Sequence, residues 1–408
     1  MASEKAKHVL AGVKALDFTQ FVAGPTVTRL MAEMGAEIIK VEFAPGGDRC
    51  RSVPYVKNER SGYFVQQNRG KQSLCLDIKH PESNKILRGL ISKVDVVVEN
   101  FAPGVIARMG FDYATVKQLN PSIIMCSVST FGQTGPLSKY AGYDFVGQAY
   151  AGVTSLSGEE GGAFYPPMLA IGDVSTGVHA LAAVACALFH RDRSGEGQFI
   201  DISLLDSYFG YHDHAVEVIS VSGGQQKPVR TGLQYPGLSP AGMFKGKNTY
   251  IWIMAWLDHH WVKFCELMGR PELGHDPRYA DVPSRVANRD EITKIIERWL
   301  ASLPSDDAAV AILNEAHIPN APILTVEQAM NHPHLRERGT VRTVHDRLLG
   351  EFQIPGMPLR FSGFPEDLEL EAPLLGEHNR RILQDYLGYD ARRIADLERE
   401  GILQSAPR

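Results

Sequence analysis

An α/β fold with a mostly parallel sheet is predicted for the first half of this 408-residue chain. Short apolar runs alternate there with amphipathic stretches up to about residue 210, and such alternation is typical of parallel strands covered by helices. Residues 222–247 are rich in Gly, Pro, Gln and Lys, which indicates a crossing between domains. Because single cores rarely grow to this chain length, two domains are expected.

The first elements predict a βαβ unit. A strand over 13–18 leads through Ala23-Gly24-Pro25 into a helix over 26–34, which Gly35 closes, and a second strand follows over 37–42. The first turn lacks the GxGxxG pattern, so a nicotinamide dehydrogenase is disfavoured. The remaining elements predicted in this half are one helix, 81–93, and three strands, 73–78, 95–98 and 123–128.

The second half predicts a smaller α+β domain over 225–330 and a C-terminal part over 331–408, after a first part over 1–224. The strand-like run TYIWIMAW opens the smaller domain. Helices are expected around 260–267, 289–301 and 306–315. In the C-terminal part, 341–363 indicates a strand pair or a long loop, and two helices are expected at 379–387 and 391–400.

Composition excludes several classes of protein. A net charge of -5 with 44% apolar residues gives no reason to expect a nucleic-acid partner. The five cysteines form no CxxC pair, which favours a reduced, cytoplasmic protein. No run of 18 apolar residues occurs and the N-terminus lacks a long apolar core, so neither a membrane span nor a secretory signal is expected.

Asp173 is the acidic residue best placed for chemistry. An apolar lead-in runs into Gly172 and Asp173, and Ser175 or Thr176 can then cap a long amphipathic helix. We expect Asp173 just ahead of the helix N-terminus, where free N–H groups and the macrodipole favour a carboxylate able to attack an electrophile. The alternative is a plain helix cap, and the pattern alone leaves both interpretations open.

Two further sets of residues suggest a ligand at the sheet edge. Basic residues recur at strand or loop ends, namely Lys40, Arg69, Lys71, Lys79 and Arg108. If the strands are parallel, several of them could meet at the carboxyl edge and hold phosphates, although solvated surface charge is the ordinary alternative. The loop 100–104 follows a buried-looking strand and can present backbone groups and an aromatic face to a cofactor.

Other candidate centres are weak. His212-Asp213-His214 and His259-His260 lack the spacing of a zinc pair, so no metal site is predicted. No GxSxG elbow is present. Trp252, Trp256 and Trp261 fit a core better than a pocket.

Taken together, segments along the chain resemble the class III CoA-transferase family, which includes formyl-CoA transferase and carnitine CoA-transferase. GVKALDFTQFVAGPTVTRLMAEMGAEIIKVE is similar to the family's opening. Further similar segments follow in the family's order: NRGKQSLCLDIK, VVVENFAPGVIARMGF, GYDFVGQAYAG, IGDVSTG, SGEGQFIDISLLDS, FSGF and APLLGEHN. The resemblance covers essentially the whole chain.

This resemblance implies a Rossmann-like large domain built from both ends of the chain, a small α+β domain between them, and an interlocked homodimer. A hetero-oligomer is the alternative assembly. Asp173 falls on the family's catalytic aspartate. CoA is expected around Val22, Leu76, Lys79, Asn100, Phe101 and Arg108, with Tyr143 and Asp144 lining the site.

The activity that the resemblance implies is transfer of CoA from an acyl-CoA, with succinyl-CoA as the expected donor, to a free carboxylic acid. Mixed anhydrides and an aspartyl-CoA thioester would form on Asp173. The CoA thioester is then a substrate, and neither a metal nor a tightly bound cofactor is required.

Two alternatives stay open. The related α-methylacyl-CoA racemases use a histidine base where this chain has Tyr143, and a phenol with a pKa near ~10 accepts protons poorly. The chain could also be one subunit of a hetero-oligomeric transferase. Two departures from formyl-CoA transferase, the missing glycine-rich loop around 231–256 and Phe43 in place of an arginine, make formate and oxalate doubtful. The Met and Trp content of the second domain allows a larger or apolar acceptor such as a benzylsuccinate-type acid.

Overall fold

The computed structural model describes residues 8–364 and 368–406, which form two compact units. The first unit comprises the chain up to Ala151, Leu169–Tyr211 and the chain from Pro333 onward. The second comprises Gly152–Met168 and His212–His332. Compared with the boundaries expected from sequence, 152–168 and 212–224 lie in the second unit.

The helices and strands alternate through the first unit as the sequence pattern suggests. In chain order they are β1 Lys14–Asp17, α1 Ala23–Glu33, β2 Glu37–Phe43, β3 Val56–Lys57, β4 Arg60–Ser61, α2 Gly62–Asn68, β5 Lys71–Leu76, α3 Pro81–Ile91, β6 Val96–Glu99, α4 Val105–Arg108, α5 Tyr113–Leu119, β7 Ile124–Ser129, α6 Asp144–Tyr150, α7 Ile171–Ser194, β8 Phe199–Ser203 and α8 Leu204–Phe209.

The second unit follows, and the chain then returns to the first. The elements of the second unit are α9 Ala215–Val221, β9 Ala241–Lys245, β10 Tyr250–Met254, α10 Asp258–Leu267, α11 Val282–Ala287, α12 Arg289–Ser302, α13 Asp306–Glu315, β11 Asn320–Pro322 and α14 Val326–Asn331. The elements of the return are α15 Pro333–Glu337, β12 Val341–Asp346, β13 Gly350–Pro355, α16 Asn379–Leu387 and α17 Ala391–Arg399.

The central sheet of the first unit has six parallel strands in the order β5-β2-β1-β6-β7-β8. The prediction of a parallel sheet is confirmed, and the strands predicted from apolar runs fall within two residues of those observed. The strand order reverses between β1 and β6. In open parallel sheets of this kind, ligands bind outside the carboxyl ends of the strands at this reversal.

Side chains of the sheet alternate between two cores, as the period of two along a strand requires. Leu16, Ile39 and Val97 pack with α3, α16 and α17 on one face. Their neighbours Ala15, Ile38 and Val96 pack with α1 and α7 on the other. The last two helices, predicted at 379–387 and 391–400, therefore complete a face of the first unit.

The helix α7 is the one helix in the described residues that is long and apolar enough to cross a bilayer, with a mean hydropathy of 1.5. Its inner side, which includes Ala180, Leu181 and Val184, belongs to the core against α1 and the sheet. Core helices pass the same test of length and composition, so α7 is weak evidence for a membrane.

The second unit contains a three-stranded antiparallel sheet, in the order β11-β10-β9. Apolar side chains of β9 and β10 and of α10, α12 and α13 form its own core, in which Trp261 is almost fully buried. The helices predicted around 260–267, 289–301 and 306–315 are confirmed. Likewise, 341–363 contains a strand pair, β12 and β13.

Candidate active site

A cavity of about 420 Å³ lies in the first unit at the carboxyl ends of β1, β6 and β7. Its walls are segments at or just beyond the ends of these strands, 20–23, 100–103 and 128–131, together with residues 138 and 140–143 before α6. Arg49, Asp173 and Leu204 complete the lining. Asp173 is the only carboxylate, and Arg49 the only basic group, among the described residues that line it.

The loop after β1 is held by polar contacts on both sides. The Asn100 side chain accepts a hydrogen bond from the Gln20 N–H and donates one to the Gln20 carbonyl, each at 2.8 Å. The buried Lys40 ammonium donates to the Thr19 carbonyl at 2.7 Å. A Cβ on Gly24 would lie 2.4 Å from Thr19 Cγ2, so only glycine fits where α1 meets this loop. These contacts fix the cavity wall at the reversal of strand order.

Asp173 lies inside the first turn of α7, and the expectation that it precedes the helix was wrong. The helix begins at Ile171, with Ala170 at the N-cap position and no side-chain cap. Neither Ser175 nor Thr176 acts as the cap. Asp144 instead accepts a hydrogen bond from the Asp173 N–H at 2.7 Å, and so satisfies a donor that the helix itself leaves free. This tertiary contact replaces the local cap that the sequence suggests.

Asp144 belongs to a buried hydrogen-bonded chain behind Asp173. Its second oxygen accepts a hydrogen bond from the Tyr208 hydroxyl at 2.6 Å, and the Gln148 amide donates to that hydroxyl at 3.2 Å. Tyr208 also lies against Gly172, where a Cβ would be only 2.1 Å from its ring. The backbone of Asp173 is therefore positioned by α6 and α8 together.

Burial, and to a lesser extent the nearby Asp144 carboxylate, raise the pKa of the Asp173 carboxyl from 3.8 to about 7. Such a shift corresponds to about 4 kcal/mol against the ionised form. A helix N-terminus favours an anion by only ~0.3–1 kcal/mol. The expected preference for the carboxylate is therefore overcome by burial, and Asp173 exchanges its proton near neutral pH.

Of the residues expected to hold CoA, the cavity brings together four with Asp173: Val22, Asn100, Phe101 and Tyr143. Tyr143 is 71% exposed and precedes α6 directly. Asp144 lies behind Asp173 and is almost fully buried.

Leu76, Lys79 and Arg108 do not line the cavity. Leu76 ends β5 beside Phe43, whose ring stacks on Phe101 with the ring centroids 5.8 Å apart. Lys79 and Arg108 are exposed. Lys79 follows β5, and Arg108 ends α4, so both belong to segments that leave the same edge of the sheet.

Three of the basic residues proposed as phosphate ligands were wrongly interpreted. Lys40 pairs with Asp48 at 2.8 Å, and Lys71 pairs with Asp17 at 2.9 Å, with all four side chains almost fully buried. Arg69 pairs with the equally buried Glu33. Buried charges must be paired, so these cations serve the packing of the sheet and are not available to a ligand.

Several lining residues were missed by sequence reasoning. Ser129 ends β7 and Thr130 directly follows it, and the rule that selected Asn100 after β6 would have selected Thr130 too. Arg49 opens a short 3-10 helix, Arg49–Ser52, whose contact with the cavity depends on tertiary folding. Tyr208 lies 64 residues from Asp144, and no local pattern connects the two.

Comparison with known proteins defines the class of the chain. The family model described as CoA-transferase family III matches residues 10–379, and the chain belongs to this family. In the described residues, no group of three or more His, Cys, Asp or Glu side chains could hold a metal ion.

Individual members of the family are also similar to this chain. Human succinyl-CoA:glutarate CoA-transferase is 34% identical over 97% of this chain and 90% of its own length. The formyl-CoA:oxalate CoA-transferase of Bradyrhizobium diazoefficiens is also 34% identical, over 97% of each chain. A solved CAIB/BAIF family protein from Brucella suis has a TM-score of 0.81 and 32% identity, over 93% of this chain and 100% of that one. The chain is therefore a family III CoA-transferase.

Proposed function

We propose that this enzyme transfers CoA from succinyl-CoA to a free carboxylic acid through covalent steps on Asp173. The observation that carries the proposal is Asp173, the single carboxylate among the described residues that line a cavity at the reversal of strand order. A buried carboxylate with a pKa near 7 is more basic than an exposed one, and so is a better nucleophile once ionised.

In the proposed reaction, the Asp173 carboxylate attacks the thioester carbonyl, and the C–S bond breaks to give a mixed anhydride and the CoA thiolate. The thiolate then attacks the aspartyl carbonyl of the anhydride, which releases succinate and leaves an aspartyl-CoA thioester. The acceptor carboxylate attacks the aspartyl carbonyl of this thioester, and the C–S bond breaks to give a second anhydride and the CoA thiolate. The thiolate returns to the acceptor's carbonyl, and Asp173 is regenerated.

Each anhydride is open to hydrolysis, so water must be kept from the carbonyl carbons. Asp173 is partly buried before any ligand binds. We propose that the pantetheine arm of CoA enters past Val22, Asn100 and Phe101 and closes the cavity further. The exposed Lys79 and Arg108, with Leu76, are proposed to contact the nucleotide end of CoA.

The position of Arg49 supports an acceptor acid that carries a second negatively charged group. Arg49 is the only basic residue lining the cavity among the described residues, and guanidinium groups pair well with carboxylates. Curated relatives act between succinyl-CoA and the dicarboxylates glutarate and mesaconate. A dicarboxylic acceptor is therefore proposed first, and a benzylsuccinate-type acid second.

We further propose a Rossmann-like first unit and an interlocked homodimer. The strand order β5-β2-β1-β6-β7-β8 supports the first proposal. For the dimer, the support is the outer side of α7, where Val174, Val178 and Phe189 are exposed, since adjacent exposed apolar side chains often mark an interface.

The experiment for the function is a screen of carboxylic acids with succinyl-CoA, using the chain purified alone and reading the CoA products by mass spectrometry. New acyl-CoA with loss of succinyl-CoA is expected for at least one dicarboxylate. A parallel reaction in D₂O contains a 2-methylacyl-CoA and no acceptor. Deuterium at the α-carbon without any CoA transfer would instead show a racemase, while a folded but inactive chain would indicate a missing partner subunit.

The pH dependence of kcat/KM should report the ionisation of the Asp173 carboxyl. Because its pKa is about 7, the nucleophile is protonated below that pH, and kcat/KM should fall about tenfold per pH unit towards pH 5. Above about pH 8 a plateau is expected. Initial rates at saturating acceptor across pH 5 to 9 measure this profile. A rate that is flat down to pH 5 would exclude a nucleophile with this pKa.

A further inference from the structure

Ser129 carries a buried hydroxyl that no described residue satisfies. It is the last residue of β7, the residue is 8% exposed, and its Oγ has no hydrogen-bond partner among the described residues. It also lines the cavity that contains Asp173. Leaving a buried hydroxyl unpaired costs ~1–3 kcal/mol, so such a group usually has a role outside the packing of the fold.

The neighbouring serine on the same face of β7 shows the contrast. Ser127 is two residues earlier, points to the same side of the strand and is also buried. Its hydroxyl hydrogen-bonds to the Glu99 carboxyl on β6. The strand therefore provides a partner for the serine inside the sheet and none for the serine at the cavity.

Short structural links connect Ser129 with the surroundings of Asp173. Ser129 pairs with Ser203 at the end of β8, and Ser203 caps α8. Tyr208 on α8 contacts Gly172, the residue before Asp173. Both ends of this path, Ser129 and Asp173, line the same cavity.

We propose that Ser129 is a further catalytic residue, whose Oγ–H donates a hydrogen bond to the oxyanion formed when Asp173 attacks the thioester. The inference rests on the proposed function. As the Asp173 oxygen bonds to the carbonyl carbon, the π electrons move to the carbonyl oxygen, and Ser129 stabilises that charge without giving up its proton. Collapse of the intermediate restores C=O and breaks the C–S bond.

A hydroxyl without a partner suits this role. Its hydrogen is free to rotate, and it makes no bond within the protein that must break before the charge develops. Its stabilisation is greatest when the carbonyl oxygen becomes negative, in the transition state and not in the bound substrate.

The test is Ser129→Ala with succinyl-CoA, compared with Ser127→Ala. We expect kcat, and the single-turnover rate of acylation at Asp173, to fall about 100-fold in Ser129→Ala. The Kd for CoA should change less than about twofold, and Ser129→Thr should retain most of the activity. The Tm of Ser129→Ala should equal or exceed that of the wild type, whereas Ser127→Ala should lower it, because only Ser127 loses a protein partner.

Three results would overturn the proposal. A Tm loss equal to that of Ser127→Ala would make Ser129 structural. Weaker CoA binding with an unchanged kcat would make it a contact of the bound pantetheine. If the wild-type chain, with its fold intact, forms no adduct at Asp173, the proposed function itself fails, together with the role of Ser129.

Discussion

Asp173→Asn should abolish CoA transfer, lowering kcat/KM by at least about a thousandfold, since an amide cannot form the anhydride or the aspartyl thioester. After incubation with succinyl-CoA and quenching, mass spectrometry should find an adduct on the Asp173 peptide of the wild type and none on the variant. Asp192→Asn is the matched control, because Asp192 lies on the same helix with its side chain exposed. Transfer by Asp173→Asn at a tenth of the wild-type rate would exclude the covalent route.

The same substitution should raise thermal stability above neutral pH. The pKa of Asp173 is about 7 when folded and 3.8 when unfolded, so ionisation opposes folding increasingly from pH 4 to pH 7 and fully above it. Removing the charge should therefore stabilise the fold by up to about 4 kcal/mol at pH 8 and little at pH 4. Thermal unfolding at both pH values measures the difference. Equal Tm changes at the two pH values would contradict the raised pKa.

Gly172→Ala should also have a large effect, with kcat/KM falling about 100-fold. A Cβ at this position would lie 2.1 Å from the Tyr208 ring, so the ring must move and its hydrogen bond to Asp144 must break. Alanine favours a helix interior by ~1 kcal/mol, but overpacking costs ~1–3 kcal/mol, and the net effect should be a lower Tm. Steady-state kinetics and thermal unfolding at pH 8 give both quantities.

Tyr208→Phe separates the loss of the hydrogen bond to Asp144 from the displacement of the Tyr208 ring. It keeps the ring against Gly172 and removes only the hydroxyl that donates to Asp144. Its loss of activity should be smaller than that of Gly172→Ala, because the backbone of Asp173 keeps its bond to Asp144. If Gly172→Ala has wild-type kinetics, α8 does not position Asp173.

Local patterns in the sequence were sufficient to predict most helices and strands of both units. The strand-like run of β2 and the apolar spacing of α12 and α13 are properties of neighbouring residues, and the predicted bounds lie within a residue of those observed. The start of α7 was wrong because its first donors are satisfied by Asp144, 29 residues away, and not by a neighbouring side chain.

The candidate site was harder to predict for the same reason. Asp173 and Asn100 carry local signals, a helix start and a strand end. The sequence around a lysine in a strand does not show whether its ammonium is solvated or paired with a buried carboxylate. In the structure, Lys40 and Lys71 are both paired with buried carboxylates. Ser129 resembles any other strand serine until the structure shows that it alone of the two on this face, 127 and 129, lacks a partner.

The way the first unit is assembled has a consequence for biosynthesis. One of its two cores includes Ile382, Leu383 and Ile394, and the β5 edge is closed when the Gln404 N–H donates to the Cys75 carbonyl. In a nascent chain on the ribosome, this apolar face of the central sheet is therefore only partly covered, by α3 among others, until residues beyond 379 have emerged. The core of the second unit lies between Phe244 and Ile318 and can form earlier. The first unit, although its sequence begins first, is the last to be completed and the more dependent on protection from aggregation during synthesis.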